Sequence, residues 1–369
     1  MTNAYVADFS LALINRTGAY YICRDLIRGL LDLFPRIRYW RFFRKHEPVG
    51  ITRKVLGWAM LMELRRLAQE DRLTPEDVAR CCSRATALPT VYLDPLYVLR
   101  NELRPDDIVL CHDVGPITHP HLYDHDSVTL YKLAYRKIQV ERPGMVFVSE
   151  TSRREFSHLY GSDYPFMDVI PLYARNTTGA GPDHQPAGIE PPFLLTVAAI
   201  ERRKNLDRCV AAFIRSGLFR EGFSYVLCGP RGYAAEEILN LAETTPGIQV
   251  LGYVPDEELR WLYRNASGFV LPSLLEGVGL TALEAGAHGL IPLVSADSAQ
   301  TEAVGEGALG VDPLSVSSIA EGMVKLVRMD NEEREHRLQL IRRRVGMLTL
   351  NRFLMRWRSL LAGKQEIAA

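Results

Sequence analysis

Leu271-Pro272-Ser273-Leu274-Leu275-Glu276-Gly277-Val278-Gly279-Leu280-Thr281-Ala282-Leu283-Glu284-Ala285-Gly286 organises everything around it. It continues a short apolar run, Gly268 to Leu271, that Pro272 closes: a buried strand and its stop. Two glycines follow, then a helix-like stretch from Leu280 to His288. A glycine bend between strand and helix leaves backbone N–H groups free at a helix N-terminus, which suits a phosphate. Glu276 precedes the glycines, and Glu284 lies in the helix, with seven residues between them. A carboxylate repels a phosphate, so these acids suit the uncharged, hydroxylated parts of a ligand, with Glu284 a two-oxygen acceptor. The bland alternative is a plain strand–turn–helix with two exposed acids.

Upstream, Phe193 to Ala199 reads as a buried strand. Ile200-Glu201-Arg202-Arg203-Lys204-Asn205-Leu206 follows, then an apolar-periodic helix from Leu206 to Phe213. Arg203 and Lys204 at the end of a strand can grip a diphosphate, the first as a fork and the second as a point charge. In a transfer reaction they would stabilise charge building on a departing group. The alternative is a basic surface turn. Tyr225 to Gly229 and Ile248 to Pro255 read as strands and Asp256 to Tyr263 as a helix. Leu290 to Ser295 is a further strand, Asp297 to Ala303 a loop, and 315 to 328 a helix. This alternation predicts a doubly wound α/β domain. Ile341 to Leu361 reads as one basic helix.

The acid-bracketed glycine bend resembles the signature of the retaining, GT-B-fold glycosyltransferases of family 4. The resemblance implies two Rossmann-like domains facing each other across a cleft. It also implies a nucleotide-diphosphate sugar as substrate. It gives Glu276 the donor sugar, Gly277, Val278, Gly279 and Leu280 the diphosphate, and Glu284 the nucleotide ribose. Ile-Glu-Arg-Arg-Lys-Asn resembles the family's donor-phosphate element, which implies that role for Arg203 and Lys204. It departs at Ala198-Ala199, where the family has Gly-Thr, and at Arg202, where it has Pro. Gly252-Tyr253-Val254 resembles a turn whose main chain touches the nucleobase, which brings Tyr253 and Val254 into the site.

The first half reads more thinly. Tyr5 to Ile14 reads as a strand broken at Asp8, then a loop with Gly18, then helical spacing from Tyr20 to Leu33. The resemblance gives Gly18 a place near donor phosphate and acceptor. Thr74-Pro75 looks like a helix start. Residues 90 to 93, 108 to 111 and 144 to 148 read as strands. His112-Asp113 follows the second of these, where open α/β sheets bind ligands. With His119-Pro120 the pair resembles elements of the family's mannosyl- and rhamnosyl-type bacterial polysaccharide enzymes. That implies an acceptor-side role, orienting or deprotonating a hydroxyl. It makes GDP-mannose the first expectation for donor, with UDP- or dTDP-sugars as the alternatives. Four of the nine histidines fall between His112 and Asp126, so a metal site is a competing reading. We expect none, and no cofactor.

Residues 36 to 66 carry nine basic residues against Glu47 and Glu63, interleaved with Tyr39, Trp40, Phe42, Phe43 and Trp58. This composition suits an anionic membrane surface, and a lipid-linked acceptor would suit such an enzyme. The alternative is a solvated face with its aromatics turned into the core.

The 369 residues bear no net charge, and 47% are hydrophobic and 24% charged. That excludes a global nucleic-acid signal and fits a globular chain of two domains. Six scattered cysteines, with no CxxC spacing, predict reduced thiols and a cytoplasmic protein, and the stretch 36–66 adds the expectation that it is peripheral at the inner face of the membrane. Asp8 and Arg16 interrupt the first apolar stretch, which argues against a signal peptide. We expect an acceptor domain at 1–172, a linker rich in Gly, Pro, Asn and Thr at 173–192, a nucleotide-sugar domain at 193–345, and a helix at 346–369 crossing back to the first domain. The expected activity is hexosyl transfer to a glycan or lipid-linked glycan in bacterial surface polysaccharide synthesis. A sugar-nucleotide epimerase or hydrolase, or a non-catalytic binding subunit, would need the same phosphate grip.

Overall fold

The computed structural model describes residues 4–69, 86–175 and 181–363. The chain divides into two units. One takes in the chain up to Pro171 and again from Asn351; the other is Leu172–Leu350.

The first unit is built on β1 (Val6–Asp8), β2 (Arg36–Tyr39), β3 (Phe42–Phe43), β4 (Thr90–Tyr92), β5 (Ile108–Cys111), β6 (Gly144–Phe147) and β7 (Met167–Val169), in the order β3-β2-β1-β4-β5-β6-β7. Every pairing is parallel except the β2–β3 hairpin. Strands β1, β4, β5 and β6 are buried along their whole length. Near-continuous apolar runs, rather than alternation, are what a parallel sheet covered on both faces requires. Its main helices are α1 (Gly18–Gly29), α2 (Gly50–Gln69), α3 (His125–Glu141) and α4 (Glu150–Tyr160). Ser149 caps α4 by accepting from Ser152 N.

The second unit is built on β8 (Phe193–Val197), β9 (Ser224–Cys228), β10 (Ile248–Gly252), β11 (Gly268–Leu271), β12 (Pro292–Ser295) and β13 (Leu309–Val311), all parallel, in the order β10-β9-β8-β11-β12-β13. Helices α5 (Leu206–Ser216), α6 (Ala235–Thr244), α7 (Asp256–Asn265), α8 (Leu280–Ala287), α9 (Ala299–Val304), α10 (Val316–Arg328) and α11 (Asn331–Met347) accompany it. On α5, Leu206, Cys209, Val210 and Phe213 recur at helical spacing and are buried, and Gly217 ends the helix at φ +77°. The last helix, α12 (Leu350–Leu361), belongs to the first unit. Its Phe353, Trp357 and Leu361 are buried, and Tyr5 donates its hydroxyl to Leu361 O at 3.2 Å.

Several expectations need correction. The first strand is three residues long, and Ser10–Leu13 is a 3-10 turn. Asp8 Oδ1 takes Ser10 N at 3.1 Å while Arg38 lies 3.7 Å from the same carboxylate, which turns the chain out of the sheet. The segment 297–303 is not all loop: Ser298 builds a capping box with Thr301 and starts α9. The run 341–361 is two helices, broken at Leu348-Thr349. The stretch expected as an exposed linker is in part anchored on α7. Asp183 lies 3.3 Å from Arg260 and 2.5 Å from Arg264, and Ile189 is buried. The helix start at Thr74, and Cys81 and Cys82, fall outside the described residues. Cys23, Cys111, Cys209 and Cys228 are free and buried. Among the described residues, no helix is long and apolar enough to cross a membrane.

Candidate functional site

In the second sheet the chain leaves β8 for β9 and β10 on one side, then returns to β11 on the other. The gap between β8 and β11 is a topological switch point, where loops from adjacent strand ends diverge and open a crevice at the carboxyl edge. The loop after β8 carries Arg203 and Lys204. The loop after β11 carries Glu276 and the glycine bend.

These loops touch. Lys204 Nζ lies 2.5 Å from Glu276 Oε1, and Arg203 Nη1 3.0 Å from Glu276 Oε2. Arg203 Nε lies 2.7 Å from Glu201. Ser273 donates its hydroxyl to Glu276 Oε1 at 3.0 Å, and Leu274 N donates to Arg203 O at 2.8 Å. Burial pushes the Glu276 carboxyl up, but Lys204 and then Arg203 outweigh it and hold it at about 2. Burial and the neighbouring Arg203 pull the Lys204 ammonium below its ordinary value, against the opposing pull of Glu276. The result is a largely buried cluster of two cations and two carboxylates.

Two residues hold the loops in register. Asn205 is fully buried in the left-handed region at φ +61°, and its amide donates to Pro272 O at 2.9 Å and Pro313 O at 2.7 Å. Gly229, at φ +151°, lets the end of β9 pass the first loop, since a Cβ there would stand 1.9 Å from Ala198 O.

Gly279 is the residue before α8, at φ +88°, with no side chain capping the helix and no acid in its first turn. Gly277 and Val278 complete the bend, and Leu280 opens the helix. The N-terminal end of the α8 dipole favours an anion. Further along, the Glu284 side chain is buried with Arg175 at 3.9 Å. Burial raises its carboxyl to about 7, with Arg175 opposing. Tyr263, on α7, stacks on His288 with ring centroids 4.8 Å apart. Val254 is buried beyond the end of β10, whereas the Tyr253 side chain is 77% exposed.

In the first unit the switch point lies between β1 and β4. Gly18 opens α1 and is partly buried. At the end of β5, His112 Nε2 lies 3.0 Å from Leu93 O. A carbonyl accepts, so Nε2 carries a proton and donates it to Leu93 O. Asp113 Oδ1 accepts from Gly115 N at 2.8 Å, which commits that oxygen to starting a helical turn. Asp94 accepts from Tyr131 at 3.1 Å. In the crowded histidine stretch, Asp124 caps α3 through Ser127, His119 pairs with Thr118, and the His119 and His121 ring centroids lie 6.1 Å apart. Among the described residues no group of three or more His, Cys, Asp or Glu is placed to hold a metal ion.

Sequence reasoning missed Glu201, Ser273, Arg175 and Gly229, and quoted Asn205 without a role. Asn205 carried a signal, since an asparagine between a basic turn and a helix is a common left-handed residue. Arg175, in what read as linker, carried none.

Residues 182–343 match the model of the family described as glycosyl transferases group 1. The chain is 28% identical over 255 residues to the O-antigen chain mannosyltransferase B of Escherichia coli, covering 65% of this chain and 66% of that protein. It is 29% identical over 233 residues to the D-inositol 3-phosphate glycosyltransferase of Nocardia farcinica, covering 58% of this chain and 51% of that one. The matched region thus spans no more than 66% of the length of either relative. A UDP-forming α,α-trehalose-phosphate synthase from Burkholderia vietnamiensis superposes with a TM-score of 0.59 at 15% identity, covering 98% of this chain and 99% of that one. At that identity the likeness concerns the fold.

Proposed function

With its GT-B fold and with residues 182–343 belonging to the glycosyl transferases of group 1, this chain is a glycosyltransferase by family, and we propose that it is a retaining hexosyltransferase. On this reading it moves mannose from GDP-mannose to a glycan or lipid-linked glycan in surface polysaccharide synthesis. The similarity to an O-antigen mannosyltransferase supports the choice of sugar and of pathway class.

The observation that carries the reading is the meeting of Arg203 and Lys204 with the Glu276 bend at one switch point. A donor diphosphate on the N-terminus of α8 would share the two cations with Glu276. As the sugar–phosphate bond breaks, negative charge grows on the departing oxygen, and the fixed cations stabilise it more than they stabilise the bound donor. Glu276, held ionised by those cations, faces the sugar hydroxyls as an acceptor. Glu284 takes the ribose hydroxyls. His112 and Asp113 orient the acceptor hydroxyl. The departing phosphate oxygen takes the acceptor's proton, so no covalent enzyme nucleophile is needed.

The test is a thermal-shift series with GDP, UDP, dTDP and ADP, followed by product analysis with GDP-mannose and a lipid-linked glycan. A nucleotide that binds the folded form alone raises the melting point. The expected result is stabilisation by GDP above the others, and mannose transfer with retention that needs acceptor. Rapid donor conversion without acceptor would replace this reading with an epimerase or hydrolase.

A further inference from the structure

Two tyrosine hydroxyls on α3 reach the loops at the carboxyl edge of the first sheet. Tyr131 and Tyr135 stand one helical turn apart on one face, with ring centroids 6.2 Å apart. Tyr131 donates to Asp94, in the loop after β4, at 3.1 Å, and the same carboxylate accepts from Leu96 N at 2.9 Å. Tyr135 donates to Asp113 O, in the loop after β5, at 2.6 Å. Burial first, and then Asp94 for Tyr131 and Cys111 for Tyr135, hold both phenols well above their usual range, so each keeps the proton it donates.

The His112-Asp113 turn is tied from other elements as well. Ser152, on α4, donates its hydroxyl to His112 O at 3.0 Å. The His112 ring reaches back to Leu93 O, on the residue before Asp94, at 3.0 Å. Burial pushes the Asp94 carboxyl up, and the neighbouring His112 is the first influence to oppose it. Two atoms stay uncommitted: His112 Nδ1 and Asp113 Oδ2 have no hydrogen-bond partner among the described residues, and both residues are half-buried. Each side chain thus gives one atom to the scaffold and keeps one for a ligand.

We propose that Tyr131, Tyr135 and Ser152 are positioning residues: they fix Asp94 and the His112-Asp113 turn so that His112 Nδ1 and Asp113 Oδ2 are presented to the acceptor hydroxyl. The inference rests on the acceptor-side role proposed above for His112 and Asp113. A reacting group held in place before its partner arrives lowers the barrier, and a small misplacement raises it. A site on loops is precise only where packed side chains lock it from behind. Helix α3 supplies that lock, since Tyr135 is fully buried and its ring packs on Phe156 and Tyr160 at centroid distances of 5.9 and 5.4 Å. Tyr131 acts on His112 only through Asp94 and Leu93, and Tyr135 acts on Asp113 only through main chain. Loss of either hydroxyl therefore mis-aims the pair without removing it.

The test compares Tyr131→Phe, Tyr135→Phe and Ser152→Ala with the control Tyr160→Phe, whose ring belongs to the same cluster while no hydrogen bond joins its hydroxyl to either loop. The first readout needs no substrate: the ring-nitrogen signals of His112 in the full chain carrying isotopically labelled histidine, assigned by their loss in His112→Gln. Shifted His112 signals and faster solvent exchange of the Nε2 proton are expected in the three variants, and parent-like signals in the control. The second readout is transfer from GDP-mannose to a lipid-linked glycan. There kcat should fall roughly ten- to 100-fold in the three variants and hold in the control, with the KM for donor and the thermal shift by GDP unchanged in all four. Melting points reveal a variant that has lost its fold, and Ser152→Ala decides in place of a tyrosine variant that does so. His112 signals matching the parent's in all three, shifted signals with undiminished transfer, or an equal fall in Tyr160→Phe would overturn the proposal. A chain that transfers no hexose would sink the hexosyltransferase reading instead, and the histidine spectra would still decide the positioning.

Discussion

The Lys204 ammonium and the Glu276 carboxylate meet at 2.5 Å across a sequence separation of 72 residues, and both are largely buried. The contact joins the loop after β8 to the loop after β11, so the two halves of the candidate phosphate grip share one electrostatic unit. Removing one partner strands the other in a poorly solvated place.

Lys204→Met should therefore lower stability by about 3 kcal/mol, the cost of leaving a buried charge unpaired, tempered by Arg203. It should also lower turnover roughly 100- to 1,000-fold, as lost leaving-group stabilisation predicts. The double variant Lys204→Met/Glu276→Gln should regain stability in urea unfolding and regain no turnover. If turnover returned with stability, Lys204 would be scaffold. Because the Glu276 carboxyl is held at about 2, below its ordinary 4.5, its stabilisation is full above pH 4.5 and is lost as pH falls towards 2.

Glu284 has the opposite sign. Its carboxyl is raised from 4.5 to about 7, so the folded protein keeps a proton that the unfolded chain releases earlier. Between those values stability falls as pH rises, and above 7 the penalty is constant. Glu284→Gln should flatten that slope and add up to about 3 kcal/mol at pH 8, while raising the KM for donor. Urea midpoints from pH 5 to 8 check the slope; an unchanged slope would remove Glu284 as its source.

Gly279→Ala meets two obstacles. The position is at φ +88°, and a Cβ would stand 2.7 Å from Gln300 Cγ. Gln300 is buried and donates to Leu271 O at 2.8 Å, so it has little room to give. The expected loss is about 2–4 kcal/mol. Gly289→Ala is the control: its φ is +84° with nothing within 4 Å, which leaves a cost of about 1 kcal/mol. Comparing their urea midpoints isolates the packing contribution.

For Asn205, Gly and Ala substitutions separate backbone from hydrogen bonds. Asn205→Gly suits φ +61° and leaves Pro272 O and Pro313 O without the amide, for about 1–3 kcal/mol. Asn205→Ala adds about 1 kcal/mol for the backbone. Equal midpoints for the two would mean that the left-handed geometry is not what this position requires.

The parts legible in the sequence were those fixed by local chemistry. Gly268 to Leu271 announced β11 because a strand buried on both faces needs an unbroken apolar run, and Pro272 marked its end. Arg203, Lys204 and the two glycines stood out as a candidate site because cations and glycines close to strand ends are local features of the sequence. The contacts between distant segments were not legible. Nothing near Arg175 says that Glu284 will sit beside it, and nothing near Gly229 says that Ala198 O will approach. Tyr5 to Ile14 read too long, since β propensity carried past Asp8, where a buried charge pair with Arg38 ends the strand. Asp183 read as linker because its partners, Arg260 and Arg264, lie on a helix more than seventy residues further on.

The return of α12 to the first unit has a consequence for how the molecule is made. Trp357 is fully buried there, and Leu361 takes the Tyr5 hydroxyl. On the ribosome the amino-terminal body thus waits until residues 351–361 have been made before this buried surface is closed, while the body encoded between its two parts has all its residues earlier. A fragment stopping at Pro171 would leave bare the wall that Trp357 covers. A permuted gene that places 351–363 ahead of residue 4 would supply that helix first.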